Sequence, residues 1–337
     1  MRRLLSAPEA RLAVIAVVIF VVISLLAPGF LSVQNVTSMA FQFPEFAILA
    51  LAMTITMLTG GIDLSVVGVA NLSEIVAALI LTRLAPGTES TAWLLLAMLA
   101  AVVVGVLAGL FNGVIVAVFG LPPILATLGS GLIFTGLAIA LTGGSAVMGF
   151  PAAAAWLGNA MVAGVPVPLL LFGLLAAGLA FVLARTAFGL RVQMYGANPL
   201  AAVFAGVDVT RLLIRVYAVS GAFAAVAGLV IMSRANSAKA DYGSSYLLLA
   251  VLIAVLGGVN PYGGYGRVVG VVLAVLSMQF LSSGLNMLGV SNFARELIWG
   301  VLLLVVMVVN TGRWPFRRAA RPRVEPGLQT SPGPETS

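Results

Sequence analysis

The sequence predicts an all-α membrane protein that crosses a lipid bilayer about ten times. Of its 337 residues, 61% are hydrophobic and only 8% are charged, whereas soluble domains are about 25% charged. Most of the apolar residues fall into runs close to the roughly 17–25 residues that a membrane-spanning helix needs. The chain contains no Cys and no His, which excludes thiolate or imidazole metal sites, disulfides and His-dependent catalysis.

Ten apolar runs define the predicted spans. In chain order they cover residues 12–30, 44–60, 64–84, 92–119, 122–142, 166–184, 212–233, 245–260, 267–288 and 293–310. The runs at 44–60 and 245–260 are short and end in Gly-Gly, which suggests broken or partly re-entrant helices. Together the runs predict a transmembrane domain over residues 1–318. Residues 319–337 are polar and Pro-rich, which predicts a disordered cytoplasmic tail.

The positive charges predict the orientation. With both termini in the cytoplasm, thirteen of the 17 Lys and Arg residues lie on the cytoplasmic side, as the positive-inside rule favours. These are Arg2, Arg3, Arg11, Arg185, Arg191, Arg211, Arg215, Arg267, Arg313, Arg317, Arg318, Arg321 and Arg323. Only Arg83, Arg234, Lys239 and Arg295 lie outside. The basic composition therefore reflects membrane insertion and not nucleic-acid binding, because no basic patch is interleaved with aromatic residues.

A short helix is predicted in the cytoplasmic loop at about residues 185–211. Asn198 is a suitable N-cap and Pro199 suits the first helical position. An apolar stripe follows with the spacing i, i+3, i+4 and i+7: Leu200, Val203, Phe204 and Val207. The opposite face carries small residues: Ala201, Ala202, Ala205 and Gly206. A helix this short needs a docking surface, and the stripe fits equally an interfacial position on its own membrane domain and a cytoplasmic partner.

Polar residues inside the spans predict a solute pathway, because such residues are costly in lipid. In the third run, Asn71 and Glu74 lie one turn apart, and Glu74 is about 15 Å from the cytoplasmic end of the span. In the ninth run a polar stripe follows helical spacing: Gln279, Ser282, Ser283 and Asn286. Neutral amides and hydroxyls suit a polyhydroxylated solute. A buried, hydrogen-bonded Glu74 and helix packing through Ser and Asn explain these residues equally well.

Other polar and glycine residues have predicted structural roles. Asp63, after Gly60 and Gly61, is expected to cap the third span, and Glu45, after Pro44, is expected to cap the second. The turn that begins at Gly257 and Gly258 is not followed by a lysine and a helix start, which argues against a phosphate site. The similarity of TGGID to LGGVN hints at an internal repeat.

Four motifs occur in order between about residues 40 and 310. They read TGGIDLSV from residue 59, YGANPLAAVFAGVDVTRL from 195, AVLGGVNPYGGYGRVVG from 254 and LSSGLNMLGVSNF from 281. In this order they resemble motifs of the permease subunits of ATP-binding-cassette importers of the ribose, xylose and autoinducer-2 type. The first resembles that family's Gly-Gly-Ile-Asp-Leu-Ser signature, carried here by Gly60, Gly61, Ile62, Asp63, Leu64 and Ser65. The second resembles its Gly-x-Asn-x-x-Ala-Ala-x-x-x-Gly loop, carried by Gly196, Asn198, Ala201, Ala202 and Gly206.

Two departures from the family pattern bear on substrate choice. The family usually continues Asp-Leu-Ser-Val-Gly-Ser into apolar residues, whereas Asp63 is followed here by LSVVGVANLSE. The family often has an acidic residue shortly before the Leu-Gly-Gly segment, whereas this chain reads SSYLLLAVLIAVLGG. Neither departure lies in the cytoplasmic loop.

The resemblance implies a function for the short cytoplasmic helix. In such permeases this loop contains a coupling helix that lies in a cleft of the ATPase subunit. The resemblance therefore assigns coupling to nine residues: Gly196, Asn198, Pro199, Leu200, Ala201, Ala202, Val203, Phe204 and Gly206. The only lysine, Lys239, is in no Gly-rich context, so ATP and Mg²⁺ are expected on a separate subunit. This chain is then a transporter subunit without a cofactor of its own and not an enzyme.

The resemblance also implies the assembly and the compartment. It implies a bacterial inner-membrane importer of a sugar, polyol or sugar-like signal, with a second permease copy or a homologous permease and an extracytoplasmic solute-binding protein. The alternative is a proton-coupled secondary transporter that uses Glu74 as its proton site.

Overall fold

The protein is built almost entirely of helices, as predicted. The structure, a computed structural model, describes residues 8–87 and 90–311. The first helices are α1 (Pro8–Leu26), α2 (Val33–Met57), α3 (Val66–Leu79, continued by a π-helical turn at Ile80–Leu84), α4 (Thr91–Ala117) and α5 (Pro123–Thr142). The next are α6 (Trp156–Asn159, after a 3₁₀ turn at Ala152–Ala155), α7 (Val167–Arg185), α8 (Ala187–Ala197) and α9 (Pro199–Phe204). The last are α10 (Val209–Ala235), α11 (Tyr246–Leu256), α12 (Val268–Met287) and α13 (Asn292–Thr311).

Each of the ten predicted apolar runs overlaps one of these helices, although several bounds differ. Among the described residues, eight helices are long and apolar enough to cross a membrane, and α11 is shorter, with 11 residues. The all-α polytopic fold is therefore confirmed, while the count of ten crossings stays a prediction. A two-stranded antiparallel hairpin, β1 (Met161–Val162) and β2 (Val165–Pro166), precedes α7. The predicted tail at 319–337 lies outside the described residues.

The second span differs from its prediction. The apolar run at 44–60 is not a short broken helix, because α2 has 25 residues and contains Pro44. Its N-cap is Ser32, whose Oγ accepts a hydrogen bond from Asn35 N at 3.3 Å. Residues 33–43 mix polar and apolar side chains, so hydrophobicity did not identify this first part of α2. The prediction that Glu45 caps the helix is wrong, since Glu45 lies in the middle of α2.

The centre of the molecule is formed by α2, α3 and α10. The apolar windows of α2 and α10 are 83% and 78% buried, whereas that of α5 is 28% buried. Helix α10 packs very closely on α4 through glycine. A β-carbon placed on Gly109 would lie 2.1 Å from the carbonyl oxygen of Tyr217. Small residues allow this approach, and helix association in lipid depends on such packing.

Contacts between the connecting segments group them on two opposite faces. On one face, Arg267 Nη1 lies 2.8 Å from Glu9 Oε1 and Gly264 N donates to Leu58 O at 2.9 Å. On the other, Val147 pairs with Ala238. This grouping agrees with the alternating crossings of the predicted topology, in which the first face is cytoplasmic.

Candidate functional site

The cytoplasmic loop forms two consecutive helices, α8 and α9. Thr186 caps α8 by accepting a hydrogen bond from Gly189 N at 3.3 Å, and Asn198 Oδ1 accepts from Ala201 N at 3.0 Å at the start of α9. Pro199 occupies the first position of α9, so the predicted N-terminus is confirmed. Helix α8 was not predicted from the sequence, although Thr186 is a good N-cap residue.

Gly206 ends the short helix α9. Its φ is +78°, a left-handed conformation that glycine adopts at little cost. Gly206 N donates to Val203 O at 2.9 Å and Val207 N donates to Ala202 O at 3.0 Å. These bonds satisfy carbonyl groups at the helix end. The glycine of the loop motif therefore has a defined structural role.

The apolar stripe of α9 faces away from the protein. Phe204 is 89% exposed, Leu200 72% and Val203 56%, whereas Ala202 is fully buried. The described part of the chain therefore leaves these three side chains uncovered, whereas Val207, the fourth residue of the stripe, is partly buried against the core. Of the small residues only Ala202 is buried, since Ala201, Ala205 and Gly206 are exposed. Three large apolar side chains exposed together are typical of an interaction surface.

Glycine contacts hold α8 against two non-helical segments of the membrane domain. A β-carbon placed on Gly196 would lie 1.9 Å from Leu58 O and 2.4 Å from Gly264 N. Gly60 lies beside the same segment, since its β-carbon would be 3.1 Å from Tyr262 O. The segment with Gly60 and Gly61, after α2, and the segment with Gly263 and Gly264, after α11, thus contact each other beside α8. Gly257 and Gly258 end α11, and Gly258 has a φ of +83°.

The Gly-Gly-Ile-Asp-Leu-Ser segment is an irregular connection held by side chains of other helices. Asp63 Oδ1 accepts from Ser65 N at 3.0 Å and from Ser65 Oγ at 2.6 Å, and Asp63 Oδ2 accepts from Ser220 Oγ at 2.8 Å. Asn112 Nδ2 donates to Ser65 Oγ at 2.7 Å. Asp63 is 1% exposed. A carboxylate buried to this extent needs such hydrogen-bond partners. Ser65, and not Asp63, occupies the N-cap position of α3.

The two polar residues of α3 have different surroundings. Asn71 Nδ2 donates to Ala240 O at 2.8 Å, and Asn71 lines a cavity of about 390 Å³ beside α5, the α5 cavity. Glu74 is fully buried and lines neither this cavity nor the one described next. Its Oε1 accepts from Lys239 N at 3.2 Å, and its Oε2 has no hydrogen-bond partner among the described residues.

The four residues of the polar stripe on α12 have different surroundings. Gln279 and Ser282 line a cavity of about 260 Å³ among α2, α10, α11, α12 and α13, the α12 cavity. Ser283 instead donates to Asn35 Oδ1 at 3.1 Å, which joins α12 to α2. Asn286 is exposed near the end of α12. The packing explanation therefore accounts for Ser283.

The predicted pathway residues are not brought together. The segment 234–249 separates the two cavities, since Lys239 and Asp241 line the α5 cavity while Arg234 and Tyr246 line the α12 cavity. Lys239 Nζ lies 2.9 Å from Asp241 Oδ2, so the α5 cavity has an ion pair in its lining. The hydrogen bond and the charge of Asp241 raise the pKa of Lys239.

The chain was compared with known proteins. A sequence model of the family described as branched-chain amino acid transport system / permease component matches residues 35–308. The ribose import permease protein of Escherichia coli strain K12 is 34% identical over 306 residues, which cover 90% of this chain and 93% of that protein. The ribose import permease protein of Bacillus subtilis strain 168 is 33% identical over 296 residues, 87% of this chain and 89% of that protein. No solved structure matches the chain.

A further relative has a different named cargo. The autoinducer 2 import system permease protein of Escherichia coli strain SMS-3-5 is 33% identical over 328 residues, 93% of this chain and 97% of that protein. These relatives and the apolar helices indicate a multi-pass protein of the inner membrane. The chain therefore belongs to the family of transport-system permease components that includes the ribose and autoinducer 2 import permeases.

Proposed function

We propose that this chain is the membrane-spanning subunit of an ATP-binding-cassette importer for a sugar, polyol or sugar-like signalling molecule. ATP hydrolysis on a separate subunit drives transport, and ATP and Mg²⁺ bind to that subunit. The proposal includes a second permease copy or a homologous permease and an extracytoplasmic solute-binding protein. The solute class follows from relatives named for ribose and autoinducer 2 import.

The observation that carries the proposal is the exposed stripe of α9. Leu200 and Phe204 are large apolar side chains that are 72% and 89% exposed. Burying such side chains in a partner contributes about 1.5–3 kcal/mol each. A cleft in an ATPase subunit would cover them, and arginines near the loop, such as Arg191 and Arg211, can meet acidic residues at the rim of that cleft.

The contacts of α8 offer a route from that surface to the spans. Helix α9 follows α8 directly, and Gly196 of α8 touches the segment after α2 and the segment after α11 at once. A displacement of α9 by the ATPase would move α8 and thereby push on both segments, because closely packed backbone transmits a displacement directly. The ends of α2, α3, α11 and α12 would move with them.

Co-purification tests the proposed partner. The permease and the ATPase subunit encoded beside it are expressed together, and the ATPase is captured through a tag. Phe204→Asp and Leu200→Asp are expected to abolish capture of the permease while leaving it inserted in the membrane. The matched control is Thr210→Asp, which places the same charge on an exposed residue in the first turn of α10, near α9 in sequence and outside the stripe. Normal capture of both stripe variants would contradict the proposal.

A further inference from the structure

The α12 cavity is a polar cavity that lies within one chain. Its volume is about 260 Å³, and its wall includes Glu45, Arg234, Tyr246, Gln279, Arg295 and Trp299. These residues come from five different helices, or lie at their ends, and surround one space. The cavity is slightly smaller than the usual range for ligand sites, about 300–1,000 Å³. It therefore suits one small molecule.

A buried ion pair forms one side of this cavity. Arg234 Nε lies 2.7 Å from Glu45 Oε1, and Tyr246 Oη donates to Glu45 Oε2 at 2.8 Å. Glu45 is 6% exposed. Both carboxylate oxygens thus have a partner, which fixes their positions. A polar wall held in this way is already formed before a ligand binds.

Two buried N–H groups on residues of the cavity wall have no hydrogen-bond acceptor. Arg295 Nε and Trp299 Nε1 are buried without a hydrogen-bond partner among the described residues, and Trp299 is 9% exposed. Buried donors are almost always satisfied in folded proteins, by protein, water or ligand. Gln279, which is 3% exposed, adds an amide to the same wall. Because an amide offers both a donor and an acceptor, this wall favours a molecule with hydroxyl groups.

The charges of the wall disfavour an ionic ligand. The wall contains two arginines, Arg234 and Arg295, and two glutamates, Glu45 and Glu296, so its formal charges balance. An anion would approach two carboxylates and a cation would approach two guanidinium groups, and burial makes such contacts costly. Apolar surface comes from Trp299 and from the rings of Phe46 and Tyr246, whose centroids are 5.9 Å apart. Such rings suit the C–H faces of a sugar.

We propose that the α12 cavity binds a neutral polyhydroxylated molecule of the size of a pentose, inside a single permease chain. Its hydroxyl groups form hydrogen bonds with the Gln279 amide and with Ser282, whose Oγ also accepts a hydrogen bond from Arg295 Nη1 at 3.3 Å. The proposal rests on the proposed function for the choice of solute class. It locates binding in a cavity separate from the α5 cavity, where Asn71 lies.

Tryptophan fluorescence tests this binding directly. Trp93, Trp156 and Trp314 are replaced by Phe, so that Trp299 is the only reporter, and the purified full-length chain is placed in lipid nanodiscs. Ribose, xylose and sorbitol are expected to change the emission in a saturable way, whereas ribose 5-phosphate and choline are not. The proposal is overturned if none of the neutral compounds saturates, or if the charged ones bind as well.

Matched variants locate the site. Gln279→Leu and Ser282→Ala remove hydrogen-bonding groups from the cavity and are expected to weaken binding about tenfold, the equivalent of one lost hydrogen bond. The control is Ser277→Ala on the same helix, whose hydroxyl donates to Leu273 O at 2.8 Å outside the cavity. Size-exclusion profiles verify that each variant is folded. Equal affinity in folded Gln279→Leu and Ser282→Ala proteins would place the ligand elsewhere.

The two proposals fail in different ways. If the tagged ATPase captures the permease through α9 but no sugar alters Trp299 fluorescence, the cavity proposal is wrong and the proposed function stands. If Trp299 reports sugar binding but stripe variants of α9 keep the ATPase, the coupling surface is wrong and the cavity proposal stands.

Discussion

Gly196 of α8 lies directly against the carbonyl group of Leu58, so that a β-carbon at this glycine would lie 1.9 Å from the oxygen. The contact joins the cytoplasmic segment to the end of α2, and the hydrogen bond from Gly264 N to the same oxygen, at 2.9 Å, adds the segment after α11. Any side chain at position 196 must push these backbones apart.

Gly196→Ala is therefore expected to impair transport and lower stability. Overpacking of this kind costs about 1–3 kcal/mol, which thermal unfolding in detergent detects. ATP-dependent uptake should fall more than the capture of the ATPase, since the stripe on α9 is unchanged. The control is Gly178→Ala on α7, where nothing lies within 4 Å of the added carbon. Normal stability and uptake in Gly196→Ala would show that the close contact has no role.

The packing of α4 on α10 makes a second prediction. Gly109→Ala places a methyl group 2.1 Å from Tyr217 O, and backbone cannot yield as a flexible side chain can. We expect a fall in melting temperature equivalent to roughly 1–3 kcal/mol. Gly129→Ala on α5 has open space around the added carbon and should be neutral or slightly stabilising, because Ala favours a helix. Equal melting temperatures for the two variants would contradict the close packing of α4 on α10.

Asp63 is predicted to stabilise the connection between α2 and α3. Asp63→Ala leaves Ser220 Oγ and Ser65 N without their acceptor in a buried site, at a cost of about 1–3 kcal/mol for each unsatisfied group. Asp63→Asn should lower the stability less. The amide oxygen can still accept the hydrogen bonds from Ser65, and the hydroxyl of Ser220 can rotate to accept a hydrogen bond from the amide nitrogen. Thermal unfolding of the two variants measures the order. An Asn variant less stable than the Ala variant would contradict this hydrogen-bond assignment.

Glu74 distinguishes ATP-driven uptake from proton coupling. Glu74→Gln keeps an oxygen that can accept the hydrogen bond from Lys239 N, now 3.2 Å from Glu74 Oε1, so the fold should be preserved. We expect ATP-dependent uptake to continue in this variant and to resist a protonophore in the wild type. Uptake that collapses with the protonophore and is lost in Glu74→Gln would instead support the secondary transporter.

Local patterns predicted the helices and the loop because their causes lie within a few residues. The Asn198–Pro199 start of α9 depends on one side-chain bond to Ala201, three residues away. The role of Glu45 could not be predicted, since Pro44 imitates a helix start and the partner Tyr246 is 201 residues distant in sequence. The stripe on α12 was equally ambiguous. Its spacing is local, but Ser283 bonds to Asn35, 248 residues away.

The direction of the stripe on α9 was also beyond sequence analysis. Periodicity placed Leu200 and Phe204 on one side of the helix and Ala202 on the other. It could not predict that Ala202 would be buried and Phe204 exposed, because this depends on how α8 packs beneath the membrane domain.

Site-specific crosslinking at position 204 tests the central claim most directly. The chain contains no Cys, so Phe204→Cys provides a single attachment point for a photoactivatable maleimide in membranes that contain the complete transporter. We predict a covalent adduct between the permease and the ATPase subunit. The buried Ala202→Cys serves as the control and should give little or none. Adducts of the Phe204→Cys protein with lipid alone, in membranes that still carry out ATP-driven uptake, would contradict the assignment of α9 as the ATPase-binding helix.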